Sequence, residues 1–127
     1  LVRRAAGRDY HSAQFEWKGT SVNLDLNSTI PLGLILNELL TNTFKHNEDA
    51  ASLLVSMEFI DCGGGKFELS YRDSGRNFVA PKRTDAIEST GWRLIWRLCE
   101  QLNGGLSQRE GTIYLTFLNE QARKSIA

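Results

Sequence analysis

The stretch IPLGLILNELLTNTFKHN, residues Ile30–Asn47, constrains the fold more than any other part of the chain. Its apolar side is formed by residues that recur at spacings of three and four, namely Leu32, Leu36, Leu39, Leu40 and Thr43. Such spacing places side chains on one side of an α-helix. The sequence therefore predicts a long helix whose apolar side faces a core. We expect Asn27 or Ser28 to cap its N-terminus, with Pro31 tolerated in the first turn.

A second side of this predicted helix carries polar residues, again at helical spacing: Glu38, Asn42, Lys45 and His46. At about 100° per residue this stripe lies about a third of a turn from the apolar one. The residues between are Leu34, Ile35 and Thr41, so the polar stripe is expected in apolar surroundings. On their own, a Glu and a Lys on a helix are typical of a solvated pair.

The combination of these polar residues indicates a ligand, because buried polar groups need partners. A magnesium–polyphosphate would supply them. The Asn42 side-chain oxygen would contact the metal, Lys45 would neutralise phosphate charge, and Glu38 would act through a water molecule.

The segment NELLTNTFKH resembles the N-box of sensor histidine kinases, which belong to the superfamily of ATPase domains that includes gyrase, Hsp90 and MutL. PLGLILNELLTN is particularly similar to the subgroup with a diverged phosphoacceptor domain, the HWE and HisKA_2 types. The resemblance covers residues Val22–Phe117. It implies a Bergerat-type ATP-binding fold, with a mixed sheet, helices on one face, and nucleotide between the helices and a lid.

The rest of the chain agrees with an α+β two-layer sandwich, because pairs of predicted strands alternate with helices. Alternating or apolar runs predict an edge strand, a half-buried strand and two hairpins: Tyr10–Trp17, Val22–Leu26, Ser52–Ile60 with Lys66–Asp73, and Leu106–Arg109 with Thr112–Leu118. The glycines Gly63–Gly65 are interpreted as a hairpin turn and not as a phosphate cradle.

A second helix is predicted over Gly91–Asn103, with an apolar stripe of Leu94, Ile95, Leu98 and Leu102. Residues 74–90 form an irregular connection of the length expected for a functional lid. We expect one domain over residues 1–127, with flexible ends at 1–9 and 119–127.

Asp73-Ser74-Gly75 resembles the G1 box of the family, whose aspartate accepts a hydrogen bond from the adenine amino group. A carboxylate accepts from that amino group but not from a guanine carbonyl, which is the physical basis for selecting ATP. This chain departs from the family pattern DxGxG, because Asn77 stands at the position of the second glycine. Asparagine tolerates positive φ better than other non-glycine residues, so the turn is expected to survive.

Ser89-Thr90-Gly91 resembles the G2 box, where the start of a helix presents free N–H groups to phosphates. The alternative is an ordinary helix N-cap. Trp92 stands where the subgroup has a smaller aliphatic residue, and either packs against the lid or partly fills the site. Arg93 either reaches phosphate or is solvated, and Thr112 is interpreted as a strand residue outside the site.

The composition argues against several other classes of protein. With 15 basic and 15 acidic residues the net charge is zero, which argues against nucleic-acid binding by bulk electrostatics. No apolar run approaches the length of a membrane span, so we expect a cytoplasmic domain without direct membrane contact. This expectation leaves open a membrane anchor elsewhere in the parent protein. Cys62 and Cys99 lie far apart, outside any CxxC pair, and are expected to be reduced thiols.

The resemblance implies the ATP-binding catalytic domain of a bacterial two-component histidine kinase, with ATP and Mg²⁺ as cofactors. It assigns Asn42 to Mg²⁺, Lys45 to phosphate charge, Asp73 and Gly75 to adenine, and Thr90 and Gly91 to phosphate. His46 would border the phosphates or the lid, and Glu38 would polarise the nucleophile or order metal-bound water. The expected partners are a phosphoacceptor helical domain, absent from this sequence, and a response regulator. The alternatives are a degenerate regulatory docking module of the same fold and an anti-sigma-type serine kinase.

Overall fold

A computed structural model describes residues 4–5, 8–9, 13–19, 24–48, 52–75, 79–83, 87 and 89–119. In chain order, the strands and helices are β1 (Arg4–Ala5), β2 (Arg8–Asp9), β3 (Ala13–Gly19), α1 (Leu26–His46), β4 (Leu53–Gly63), β5 (Lys66–Asp73), α2 (Thr90–Gln101), β6 (Gly105–Arg109) and β7 (Thr112–Leu118). No helix among these residues is both long and apolar enough to cross a membrane.

Five of the strands form one mixed sheet in the order β3-β4-β5-β7-β6. Strand β3 runs parallel to β4 at one edge, with Phe15 opposite Val55, and every other neighbouring pair is antiparallel. A parallel pair needs a crossover, and α1 provides it. The predicted edge strand is therefore confirmed, and the fold is an α+β sandwich with a mixed sheet.

One face of the sheet is covered by both helices. Alternate residues of the strands join the helices in a single apolar core, including Val55, Leu69 and Leu115 from the sheet with Ile35 and Ile95 from the helices. Residues on alternate positions of a strand share a face, so the other face is open, and on β4 it carries Ser56 and Glu58 together with the exposed Leu54 and Ile60. The two helices also contact each other.

The long helix α1 begins four residues before its predicted start. Asp25 is its N-cap, and its Oδ1 accepts a hydrogen bond from the N–H of Ser28 at 2.9 Å. The prediction of Asn27 or Ser28 as cap was wrong. The predicted half-buried strand Val22–Leu26 was wrong over its described residues, because Leu24 and Asp25 belong to no strand and Leu26 begins the helix; Val22 and Asn23 lie outside the described residues. Pro31 consequently lies inside the helix beyond the first turn, where it has no N–H to donate to the carbonyl of Asn27.

Both predicted hairpins are confirmed. Strands β4 and β5 pair in antiparallel register around a turn in which Gly63, Gly64 and Gly65 all have positive φ. Strands β6 and β7 pair around Glu110-Gly111, also with positive φ at both residues. Two consecutive residues of positive φ match the twist of a tight hairpin, which explains the glycine there.

The second helix, α2, is confirmed, but its buried side differs from the prediction. Trp92 belongs to the core and is 7% exposed, and Ala80 and Ile87 of the predicted lid pack against the same core cluster. Cys99 is also buried, whereas Leu94 is 37% exposed. The predicted stripe is thus confirmed at Ile95, Leu98 and Leu102 and wrong at Leu94, Cys99 is in the core as its apolar helical surroundings predict, and Trp92 is an additional core residue.

The ends of the chain differ in part from the expected flexible segments. Strands β1 and β2 pair with each other as two-residue strands, where no regular structure was predicted. Asn119 is 3% exposed, and its N–H donates to the carbonyl of Gly65 at 2.9 Å. His11, Asn77 and residues 120–127 lie outside the described residues.

Candidate functional site

The polar stripe of α1 changes in exposure along the helix. Glu38 and Asn42 are partly buried, whereas Lys45 and His46 are exposed in the last turn. The polar stripe was predicted to lie in apolar surroundings formed by Leu34, Ile35 and Thr41. This prediction holds only for Ile35, which is in the core, because Leu34 and Thr41 face solvent. Basic residues in the last turn also interact favourably with the helix dipole, which is a structural reason for Lys45 and His46.

Asp73 is the last residue of β5 and is 8% exposed. Its Oδ1 accepts from the N–H of Gly75 at 2.9 Å, and its Oδ2 accepts from the hydroxyl of Thr43 at 2.9 Å. Ser74 ties the following turn to β4, since its N–H donates to the carbonyl of Leu54 while its Oγ accepts from the N–H of Leu54, each at 2.9 Å. The carboxylate is therefore held from both sides at the end of a strand.

Thr43 takes part in the site in a way that the sequence did not indicate. Its periodicity placed it on the apolar side of α1, and it is indeed fully buried. However, its Oγ1 lies 2.7 Å from the hydroxyl of Tyr71 as well as 2.9 Å from Asp73. Burial raises the pKa of Tyr71 to about 12, and the negative charge of the Asp73 carboxylate adds to the rise.

Asn47, the C-cap of α1, is a second residue that sequence reasoning missed. It is 2% exposed, and its Nδ2 donates to the carbonyl of Thr43 at 2.8 Å. Its side-chain amide lies against Gly75, in the space that a Cβ at that position would take. The available signal was an asparagine directly after the last apolar turn of a helix, which is a common C-terminal cap.

The polar stripe also reaches the start of α2. A Cβ at Gly91 would lie 2.8 Å from Oε2 of Glu38, so the carboxylate packs directly against the glycine backbone. Ser89 caps this helix and Thr90 is its exposed first residue. The ordinary N-cap expected as an alternative is therefore present. Arg93 is exposed one turn into the helix.

Three of the predicted motifs are brought together by α1. Glu38 contacts Gly91 at the start of α2, and the last turns of the helix contact Asp73 and Gly75 at the end of β5. Lys45 and His46 continue the same helix as exposed cations beyond these contacts. Strand β7 begins with Thr112, which lies near the open face of the sheet beside Ser70 and Arg72, in agreement with its exclusion from the site.

Asn42 provides the test of whether the chain suits a magnesium ion. Its side-chain Nδ2 is buried and has no hydrogen-bond partner among the described residues. The nitrogen and oxygen of a carboxamide exchange places by a half-turn of the amide, and their assignment is inferred from the hydrogen bonds around them. After such a half-turn the amide oxygen would occupy this position without a partner, and Mg²⁺ binds oxygens of this kind while keeping several of its waters. The residue fits the ion.

The described residues do not form a metal site made of protein ligands alone. Within the described part of the chain no three His, Cys, Asp or Glu side chains cluster closely enough to hold a metal ion. A magnesium ion at Asn42 would therefore take its remaining ligands from phosphate and water, as is usual for nucleotide-bound Mg²⁺.

Comparison with solved structures finds the same fold in histidine kinases. The histidine kinase domain of the Erythrobacter litoralis EL346 blue-light activated histidine kinase matches 95% of this chain, with a TM-score of 0.72 and 22% identity. Full-length ShkA in complex with AMPPNP matches 84% of the chain, with a TM-score of 0.58 and 16% identity. The catalytic domain of histidine kinase ThkA, in a nucleotide-free form, matches 85%, with a TM-score of 0.56 and 16% identity.

The other two comparisons are negative, since no protein-family model and no curated protein matches the chain. The chain spans 61% of the length of the Erythrobacter domain, 26% of ShkA and 78% of the ThkA domain. At these identities the likeness concerns the backbone architecture. The chain has the fold of the histidine kinase catalytic domains.

Proposed function

We propose that this chain is the ATP-binding catalytic domain of a bacterial two-component sensor histidine kinase of the HWE or HisKA_2 type. Its task would be to present the γ-phosphate of Mg²⁺-ATP to a histidine on a separate phosphoacceptor domain. From there a response regulator would receive the phosphoryl group. A cytoplasmic location would follow from this role.

The observation that carries the proposal is the position of α1 between the ends of β5 and α2. The helix contacts Asp73 through Thr43, Gly75 through Asn47, and Gly91 through Glu38. An acceptor for an exocyclic amino group and the start of a second helix, which can present N–H groups to phosphates, thus both lie against one helix. The fold likeness to a kinase complex with AMPPNP supports the same ligand class.

Phosphoryl transfer requires positioning and charge stabilisation more than covalent participation by the protein. Asp73 would accept from the adenine amino group, and the close backbone at Gly75 would admit the base. Thr90 and Gly91 would present N–H groups to the phosphates, with Lys45 and His46 adding positive charge. Mg²⁺ held at Asn42 would neutralise phosphate charge, and Glu38 would polarise the attacking imidazole.

Calorimetric titration of the 127-residue chain with Mg²⁺-ATP tests the proposal. The Asn42→Ala variant should lose most of its affinity, and EDTA should lower wild-type affinity in the same way. Asn37→Ala is a matched control, because Asn37 is an exposed asparagine on the same helix. Asp73→Asn should weaken binding of ATP.

The outcome that contradicts the proposal is absence of binding by the wild-type chain at millimolar nucleotide. A degenerate docking module of the same fold would then explain the chain better. Equal losses in Asn37→Ala and Asn42→Ala would contradict the magnesium role of Asn42 alone.

A further inference from the structure

A chain of three buried polar side chains links α1 to β5 beneath the candidate site. Tyr71 is 2% exposed, Thr43 is 0% exposed and Asp73 is 8% exposed. The Tyr71 hydroxyl lies 2.7 Å from Oγ1 of Thr43, which lies 2.9 Å from Oδ2 of Asp73. Buried polar groups in such a chain are costly to leave without partners, so the arrangement fixes all three side chains.

The direction of these hydrogen bonds follows from the chemistry of the groups. An ionised carboxylate only accepts, so the Thr43 hydroxyl donates its single hydrogen to Asp73. The hydrogen between Tyr71 and Thr43 must then come from the phenol. Because burial raises the pKa of Tyr71 to about 12, this phenol keeps its proton at neutral pH. The order of donation is Tyr71 to Thr43 to Asp73.

This order leaves the Asp73 carboxylate oriented but not saturated. Oδ2 receives the Thr43 hydroxyl and Oδ1 receives the N–H of Gly75. Each carboxylate oxygen has two acceptor positions, so these two bonds leave positions for a ligand N–H. Without the Thr43 hydroxyl, Oδ2 would lose the bond that holds it and the plane of the carboxylate would be free to turn.

We infer that Thr43 is a positioning residue that sets the base specificity of the nucleotide site. Its hydroxyl, oriented by Tyr71, holds the Asp73 carboxylate so that it accepts the 6-amino group of adenine and disfavours the 6-carbonyl of guanine. The inference rests on the proposed function, since it assumes a purine nucleotide beside Asp73. It assigns to Thr43 a role in ligand choice beyond its packing in the core.

The test compares nucleotides that differ at position 6 of the base. Thr43→Val keeps the shape and removes the hydroxyl, whereas Thr43→Ser keeps the hydroxyl. Thr41→Val is the matched control, because Thr41 is exposed on the same helix and its hydroxyl donates only to the carbonyl of Asn37 in the described contacts. Each variant is titrated with Mg²⁺-ATP, Mg²⁺-GTP and the Mg²⁺ complex of purine riboside triphosphate, which lacks the 6-amino group.

Thr43→Val should lower the affinity for ATP by about tenfold, the size expected for a hydrogen bond to a charged group. Its affinity for purine riboside triphosphate should change by less than about twofold, and its preference for ATP over GTP should fall by about tenfold. Thr43→Ser and Thr41→Val should keep the wild-type preference. Tyr71→Phe, which leaves the bond between Thr43 and Asp73 in place, should reduce the preference by a smaller factor.

An equal loss of affinity for ATP and for purine riboside triphosphate in Thr43→Val would show a merely structural role and overturn the inference. If Thr43→Val does not fold, as judged by circular dichroism, Tyr71→Phe and Thr43→Ser decide. The inference would then be refuted by an unchanged preference for ATP over GTP in Tyr71→Phe, or by loss of that preference in Thr43→Ser. If the wild-type chain binds no nucleotide, the proposed function and this inference are both overturned. If the wild-type chain binds nucleotide and Thr43→Val keeps the wild-type preference for ATP over GTP, the inference alone is overturned.

Discussion

The side-chain amide of Asn47 fills the space beside Gly75 in which a Cβ would lie. Asn47 caps the C-terminus of α1 and is held in place by the hydrogen bond from its Nδ2 to the carbonyl of Thr43 at 2.8 Å. Gly75 belongs to the turn that follows Asp73. The end of the long helix and the turn after β5 are therefore packed together through one asparagine and one glycine.

Gly75→Ala is expected to destabilise the protein by about 1–3 kcal/mol, the usual cost of inserting a methyl group into a packed region. The new Cβ would displace an amide that is buried and already hydrogen-bonded, so it has no easy place to move. Urea unfolding monitored by circular dichroism measures the loss. The double variant Gly75→Ala with Asn47→Ala should lose less stability than the sum of the two single changes, because shortening Asn47 makes room. Additive losses would contradict the contact.

Gly91→Ala should separate stability from binding. The group that its Cβ would meet is Oε2 of Glu38 at 2.8 Å, the far end of a flexible side chain that can rotate away. Alanine also favours a helix over glycine. Unfolding free energy should therefore stay the same or rise slightly, whereas affinity for Mg²⁺-ATP should fall because Glu38 is displaced. A loss of stability with unchanged nucleotide affinity would argue against this placement of Glu38.

Gly33→Ala is expected to raise the unfolding free energy by about 0.5–1 kcal/mol. Gly33 lies within α1 on an exposed side, and a Cβ there would meet nothing within 4 Å. The gain comes from the smaller backbone entropy of alanine in the unfolded chain. The urea midpoint should increase without a change in the dependence on urea concentration. A decrease would show a contact at this position that the structure lacks.

The two cysteines should differ sharply in their reaction with a thiol reagent at pH 8. Cys62 is exposed, whereas Cys99 is buried in α2, and burial raises the pKa of its thiol to about 12. Because the thiolate is the reactive form, the native chain should show one fast-reacting thiol and the denatured chain two. Cys62→Ser should abolish the fast reaction. Two fast thiols in the native protein would contradict the burial of Cys99.

Stability should fall at high pH because of Tyr71 and Cys99. Their folded pKa values of about 12 lie above the ordinary values of 10.0 and 9.0, so the unfolded chain releases these protons first. Their contribution is complete below about pH 9 and is lost as pH rises toward 12. Tyr71→Phe should make the decline between pH 10 and 11 shallower, as measured by urea midpoints across this range. An identical decline in Tyr71→Phe would show that the phenol does not contribute.

Local patterns in the sequence were sufficient for most of the secondary structure. The spacing of apolar residues predicted both helices, and three glycines in a row between alternating strands predicted the β4–β5 hairpin. The alternation in Lys66–Asp73 also predicted both ends of β5, whereas α2 begins one residue before and ends two residues before its predicted bounds. These signals are local because periodicity and turn geometry depend on neighbours within a few residues.

Tertiary structure decided the contacts that make these pieces one candidate site. Thr43 has the spacing of a core residue, and nothing near it in the sequence reveals that its hydroxyl meets Asp73, thirty positions away. Nearby sequence likewise does not reveal the contact of Asn47 with Gly75, the burial of Trp92 in the core or the parallel pairing of β3 with β4. The cap at Asp25 also depended on where the whole helix packs, since several nearby residues were suitable. Sequence periodicity determines which side of an element is buried, whereas the partner of each buried polar group is determined only when distant elements pack together.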